Sequence, residues 1–280
     1  MISVLQLGTL DYATGLGLQQ KLVHLRKENR VGDVLLLLEH APVITLGRNA
    51  KTANIIASPE QLAERGVEVF ESDRGGDVTF HGPGQLVGYP IFDLRGLPSS
   101  DGKSKSLGVI EYVRKLEEVL MRTCAEFDIA AKRICGLTGV WTVEPPAVPS
   151  HGATGVPARP RPAALSQSEA KIAAIGVHIS RSVTSHGFAL NVDTDLSYFD
   201  LIIPCGLVAK PVTSMAKELG KPLDLEKVTN SVVRNFGNVF QQQTLWVETL
   251  EALLGETIGV PVKLPGELRK IHNLEDTFWA

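Results

Sequence analysis

Arg74-Gly75-Gly76-Asp77-Val78-Thr79-Phe80-His81-Gly82-Pro83-Gly84-Gln85-Leu86 is the stretch on which the fold turns. Five of the 26 glycines fall between positions 75 and 88, more than a strand-and-turn region needs for its turns alone. Glycine adopts positive φ and lets backbone approach another group closely, so a run of this kind can build the wall of a ligand site. The alternative is a tight hairpin with a satisfied His81. P-loop spacing, with Lys and Ser/Thr after its second glycine, is missing, and so is GxGxxG, so nothing here supports nucleotide binding.

Outward from that stretch, short apolar segments alternate with longer helical patterns. Ser3 to Leu7, Val34 to Glu39, Val43 to Leu46, Val67 to Phe70 and Tyr89 to Leu94 read as strands, being brief and bounded by Gly, Pro or Asp. Tyr12 to Lys27 and Leu107 to Phe127 carry a period near 3.6 and read as helices, with Cys124 on the apolar stripe of the second. Glu144 to Ser168 breaks the pattern. Six of the 16 prolines sit within 18 residues there, which excludes a helix or a central strand and predicts a surface loop. Because it lies between strand-like Thr138 to Val143 and Ile172 to Ile179, it reads as an insertion within one domain. The expected organisation is a domain over 1–240 with the inserted loop at 144–168, then a C-terminal extension over 241–280. In that extension Leu245 to Leu254 is amphipathic and Val260 to Leu264 extended.

Composition narrows the class. The 280 residues hold 28 basic and 31 acidic side chains, for a net charge of 28 − 31 = −3, and no Lys/Arg block marks a nucleic-acid surface. The longest clean apolar run, Val34 to Leu38, has five residues, far below the roughly 18 that span a bilayer. Asp11 within the first segment, and no cation before Lys21, fit neither a secretory signal nor a transit peptide, so a cytoplasmic protein is expected.

Two further segments bear on chemistry. Lys171-Ile172-Ala173-Ala174-Ile175-Gly176-Val177-His178-Ile179 is an apolar strand opened by a lysine, followed by Ser185-His186-Gly187-Phe188-Ala189-Leu190-Asn191-Val192. Small residues at 173, 174, 176, 187 and 189 on adjoining strands leave a groove in which an alkyl chain could lie. Lys171 could equally snorkel to water. Cys205 sits between Pro204 and Gly206 in a bend after an apolar run, where its sulfur is exposed. A free thiol has a pKa of about 8.5, and a nearby ammonium favours the thiolate. Lys171 beside Cys205 would supply a nucleophile and its activator. The three cysteines form no CxxC pair, which argues against a disulfide framework or structural zinc. His81, His178 and His186 read as hydrogen-bonded structural groups, with a base as the alternative.

RGGDVTFHGPGQLVGYPI (Arg74 to Ile91), GVW (Gly139 to Trp141), KIAAIGVHI through SHGFALNV (Lys171 to Val192) and PCG (Pro204 to Gly206) together resemble the lipoyl(octanoyl)transferases, over about Ser3 to Phe240. The resemblance implies an α+β fold, a mixed sheet with flanking helices, shared with biotin and lipoate protein ligases. It implies octanoyl transfer from octanoyl-acyl carrier protein to a specific lysine of lipoyl domains, those of 2-oxoacid dehydrogenase complexes and of the glycine cleavage H protein. It further implies a thioester on Cys205, with Lys171 lowering the thiol pKa and shuttling the proton. Substrate-lining positions would be Arg74, Gly75, Gly76, Asp77, Val78, Thr79, Phe80, His81, Ala174, Ile175, Gly176, Gly187, Phe188 and Ala189. No cofactor, metal, nucleic acid or membrane is expected, and a monomer suits an enzyme that admits two protein substrates in turn. An ATP-dependent ligase on the same fold is the competitor; it would need no nucleophilic cysteine. Acidic partners would need a local basic face, for which Arg74 and Arg133 are candidates.

Overall fold

The computed structural model describes residues 1–97, 99, 106–143, 169–203 and 210–254. Strand β1 (Ile2–Leu10) leads through helix α1 (Tyr12–Lys27) to β2 (Asp33–His40), which it meets in parallel, the crossover that joins parallel strands. Asp11 caps α1 by accepting a hydrogen bond from the Thr14 amide at 2.7 Å. β3 (Val43–Leu46), α2 (Pro59–Glu64), β4 (Glu68–Glu71) and β5 (Val78–His81) follow, then β6 (Gln85–Ile91), α3 (Val109–Glu126), β7 (Ala131–Ile134), β8 (Leu137–Thr142), β9 (Lys171–Ser180) and β10 (Val183–Asn191). The described chain ends with α4 (Met215–Leu219), α5 (Leu225–Phe240), β11 (Thr244–Trp246) and α6 (Leu250–Leu254).

The strands form an eight-stranded mixed sheet in the order β11-β1-β2-β6-β10-β9-β8-β7 and a three-stranded sheet in the order β4-β3-β5. This is the expected α+β arrangement. Alternation along β2 explains its unbroken apolar run, because both faces are covered. Leu35 and Leu37 pack with Phe188, Leu190 and the inner stripes of α3 and α5; Val34, Leu36 and Leu38 pack with Val87, Tyr89, Ala189 and the leucines of α1. Cys124 is fully buried in the first cluster, and burial pushes its thiol up to about 12, so it is an inert core residue as its helical stripe predicts.

The structure departs from the sequence-based expectations in places. β6 starts at Gln85 and stops at Ile91, short of the Leu94 expected, and a 3₁₀ turn begins at Leu94 and runs to Gly96. The amphipathic piece Leu245 to Leu254 divides in two: Thr244–Trp246 adds to β1 in parallel, and α6 follows. The Pro-rich loop and Val260 to Leu264 lie outside the described residues. Among the described residues no helix is long and apolar enough to cross a membrane.

Candidate active site

A slot opens where the second face of the large sheet meets the small one. Its floor is β9 and β10, with Val87 and Tyr89 of β6; its far wall is the glycine-rich loop 74–77 and β5. Alternation along β5 turns Thr79 and His81 toward the slot, while the Val78 and Phe80 side chains fill a separate apolar cluster with Ile44 and Phe199. Of the expected lining residues, Arg74, Gly75, Gly76, Asp77, Thr79 and His81 border the slot from the wall. Ala174, Ile175, Gly176, Gly187, Phe188 and Ala189 border it from the floor. Val78 and Phe80, also expected there, do not border it.

The small residues do not all open space, contrary to the groove expected from their size. Ala174 and Ala189 pair across β9 and β10 and border the slot. Ala173 belongs to the core on the opposite side. Gly176 and Gly187 are glycine because other backbone occupies the place of a side chain: a Cβ on Gly176 would lie 2.7 Å from the Gly75 carbonyl oxygen, and one on Gly187 2.1 Å from that of Gly88. The Gly75 amide donates to the Val177 carbonyl at 3.0 Å, stitching wall to floor.

Arg74 is 7% exposed and points inward. Its guanidinium donates to Gly75 O (3.0 Å), Asp77 O (2.7 Å), Thr45 O (2.6 Å) and Thr45 Oγ1, gathering the loop onto β3. It therefore presents no docking surface, and Arg133 is engaged with Glu117 and Glu118. Asp77 closes the loop by accepting from the amides of Lys51 and Val78 and from Asn54 Nδ2.

The histidines around the slot are buried and bonded. Gln85 donates through Nε2 to Phe80 O and Asn191 Oδ1, so its Oε1 is the acceptor for His81 Nδ1–H at 2.7 Å. Asn191 passes the network on, donating to Thr213 O, and Thr213 N donates to Lys171 O. Burial, reinforced by His40 and Arg74, pushes His81 down to about 3. His40 falls to about 4, again through burial; its Nδ1–H donates to Leu10 O, so Nε2 accepts from the Tyr89 hydroxyl at 2.6 Å. Both rings are neutral at pH 7. The pKa of His186 is lowered by burial against the pull of Asp73, which it meets at 2.6 Å. Burial would raise Asp73, but the bond and charge of His186, with His178 nearby, outweigh it and hold the carboxyl low. His178 lies 3.7 Å from Asp73.

Lys171 is 9% exposed and borders the slot at the start of β9, with Nζ 5.1 Å from the centre of the Trp141 ring. Its stem passes Gly139, where a Cβ would lie 2.8 Å from Lys171 Cε. The GVW segment thus forms the lysine's seat: glycine for clearance, tryptophan for the aromatic face. Lys171 N donates to Pro211 O at 2.8 Å. On the other flank of PCG, Ile203 N donates to Asn54 O at 2.7 Å. Cys205 itself lies outside the described residues. Among those residues, no group of three or more His, Cys, Asp or Glu side chains could hold a metal ion.

Tyr12, Val87 and Tyr89 border the slot without having been singled out from the sequence. Tyr12 stacks its ring over His81 at 6.4 Å and donates its hydroxyl to Ser72. Its position as the first residue of a helix gave no sign of this, because the contact joins residues far apart in the chain.

Comparison with known proteins gives a consistent picture. The family model of the lipoyl protein ligase A/B catalytic domain matches residues 11–237. An octanoyltransferase of Koribacter versatilis (strain Ellin345) is 57% identical over 272 residues, 97% of each chain. One of Acidobacterium capsulatum is 52% identical over 258 residues, covering 91% of this chain and 97% of the relative. Among solved structures, a bipartite lipoate protein ligase from Thermoplasma acidophilum superposes with a TM-score of 0.62 at 15% identity, over 90% of this chain and 89% of the other. A lipoate-protein ligase A bound with ATP does so with a TM-score of 0.59 at 13% identity, over 88% and 90%. At such identities the structures speak for the fold, while the close relatives and the match across most of the described chain carry the assignment: the protein belongs to the lipoyl protein ligase A/B catalytic-domain family, among its octanoyltransferases.

Proposed function

We propose that the protein moves an octanoyl group from octanoyl-acyl carrier protein to a lysine of a lipoyl domain through a thioester on Cys205. The observation that carries this is the convergence of three distant segments on one slot: the loop at 74–77, the Ala174–Ala189 floor, and Lys171 at its end. The thiolate attacks the carrier's thioester carbonyl; the C–Sγ bond forms, the carrier's C–S bond breaks, and Lys171 returns the thiol proton to the departing sulfur. The neutral amine of the target lysine then attacks the same carbon, the C–Sγ bond breaks, and the amine's proton passes to Lys171 or solvent. Thioester exchange keeps the acyl group activated, so no ATP is consumed. An octanoyl chain has seven carbons beyond its carbonyl, each worth about 0.8 kcal/mol when buried, enough to hold it in an apolar slot.

The test is intact mass spectrometry after incubation with octanoyl-acyl carrier protein, without ATP. Native protein gains one octanoyl group and Cys205→Ala gains none; an adduct persisting in that variant, or a requirement for ATP, overturns the mechanism. Lys171→Ala should acylate far more slowly at neutral pH and recover in part as pH rises and the thiol ionises unaided. A normal rate in that variant would leave Lys171 a packing residue.

A further inference from the structure

Next to the Gly176–Gly187 pair along β9 and β10, His186 borders the slot. On the other side of that ring lies a second cavity, walled by Leu16, Gln19, Val23, Asp73, His178 and Ser185. Among the described residues that border either space, His186 alone borders both.

Its placement is unusual for a strand. Alternation along β10 puts Phe188 and Leu190 in the α3–α5 core and would send residue 186 the same way. His186 instead has a φ of +54°, a left-handed backbone uncommon outside glycine, and its ring lies against Tyr89 and Asp73 on the slot side. Two bonds fix it there: its amide donates to Gln19 Oε1 at 2.8 Å, and its Nε2 meets Asp73 Oδ1 at 2.6 Å. Gln19, which borders the second cavity, is itself 1% exposed, and its Nε2 has no hydrogen-bond partner among the described residues.

The spacing suits a limit on length. From the Ala174–Ala189 pair, which borders the slot, to the Val177–His186 pair is three residues of strand. At about 3.3 Å per residue that is about 10 Å. An extended acyl chain of eight carbons measures about 9 Å and one of twelve about 14 Å, from C–C bonds of about 1.5 Å. The shorter chain fits that length; the longer does not. We propose that His186 is the stop that sets acyl length, closing the slot where an eight-carbon chain ends and shutting off the cavity behind it. This rests on the octanoyl-transfer reading above.

The experiment offers native protein, His186→Gly and His186→Asn an equimolar mixture of octanoyl- and dodecanoyl-acyl carrier protein, and reads the two Cys205 adducts by intact mass. Glycine and asparagine both accept a left-handed backbone, so the fold has a second chance of surviving the change. Native protein should favour octanoyl. His186→Gly should shift the dodecanoyl-to-octanoyl ratio upward by about tenfold, within the range that steric discrimination of alkyl groups supplies, and His186→Asn by less. Because the readout is a ratio within one sample, lost stability alone does not move it. Folded variants with the native ratio overturn the length stop while leaving octanoyl transfer intact; a native protein that takes no octanoyl group overturns both.

Discussion

At the residue scale, the imidazoles beside the slot hold their places by staying uncharged. The ring nitrogens of His40 and His81 answer particular partners, a main-chain carbonyl and a tyrosine hydroxyl for one, a glutamine oxygen for the other. A proton on either would be stranded in a buried setting. Since their pKa values in the folded protein, about 4 and about 3, lie below the roughly 6.5 of a free imidazole, the unfolded chain takes up protons that the folded one refuses. Stability is then complete above pH 6.5 and declines as pH falls toward 4, by up to about 1.4 kcal/mol per pH unit for each ring. Carboxylates held low by their cations, such as Glu169, add a decline that begins at lower pH. Urea unfolding of His40→Asn, which keeps a donor for the Leu10 carbonyl, should show a slope between pH 6.5 and 5 shallower than native by about 1 kcal/mol per unit. Equal slopes would mean that His40 is charged in the folded protein.

At the element scale, the site is made by backbone meeting backbone, and this is where the sequence was least legible. Tyr12–Lys27 is a helix with both expected ends, and most strands were readable because apolar runs, glycines and prolines punctuate them, whereas β5, β7 and β11 are too short to stand out. The stripe Val228, Val232, Phe236, Phe240 of α5 was equally present but masked by Thr, Asn and Gly between its members. A glycine, by contrast, does not announce whether it faces empty space or another strand. Gly187→Ala would press a methyl group onto the Gly88 carbonyl and the Pro90 ring, both fixed in β6, so the β6–β10 pairing must open. A cost of about 1–3 kcal/mol is expected, together with loss of acylation. Gly176→Ala instead meets the carbonyl of Gly75, in a loop that can shift at the expense of the Gly75–Val177 bond. Its thermal midpoint should move less than that of Gly187→Ala, while its acylation rate still falls. Equal loss of stability in the two would show the loop to be as rigid as the strand.

At the scale of the whole molecule, the chain begins and the described part ends on one sheet edge, away from the slot. Ile2 N donates to Gln243 O, Val247 N donates to Val4 O, and β11 runs beside β1 between them. Leu250 of α6 is fully buried among Leu5, Leu7, Leu10 and the inner leucines of α1. The strand order separates this edge from the slot by β1 and β2, but α1 carries Tyr12 into the slot, so the edge supports the site without touching it. Leu250→Ala should therefore lower stability by about 2–5 kcal/mol, the cost of a cavity left by a buried leucine. Ending the chain after Phe240 should lower it further, since β1 also loses its partner. In both cases the rate of octanoyl adduct formation per folded molecule, measured well below the midpoint, should stay close to native. A variant with native stability would show that 241–254 only rests on the sheet; a folded variant with a slow rate would show that the edge reaches the slot through α1.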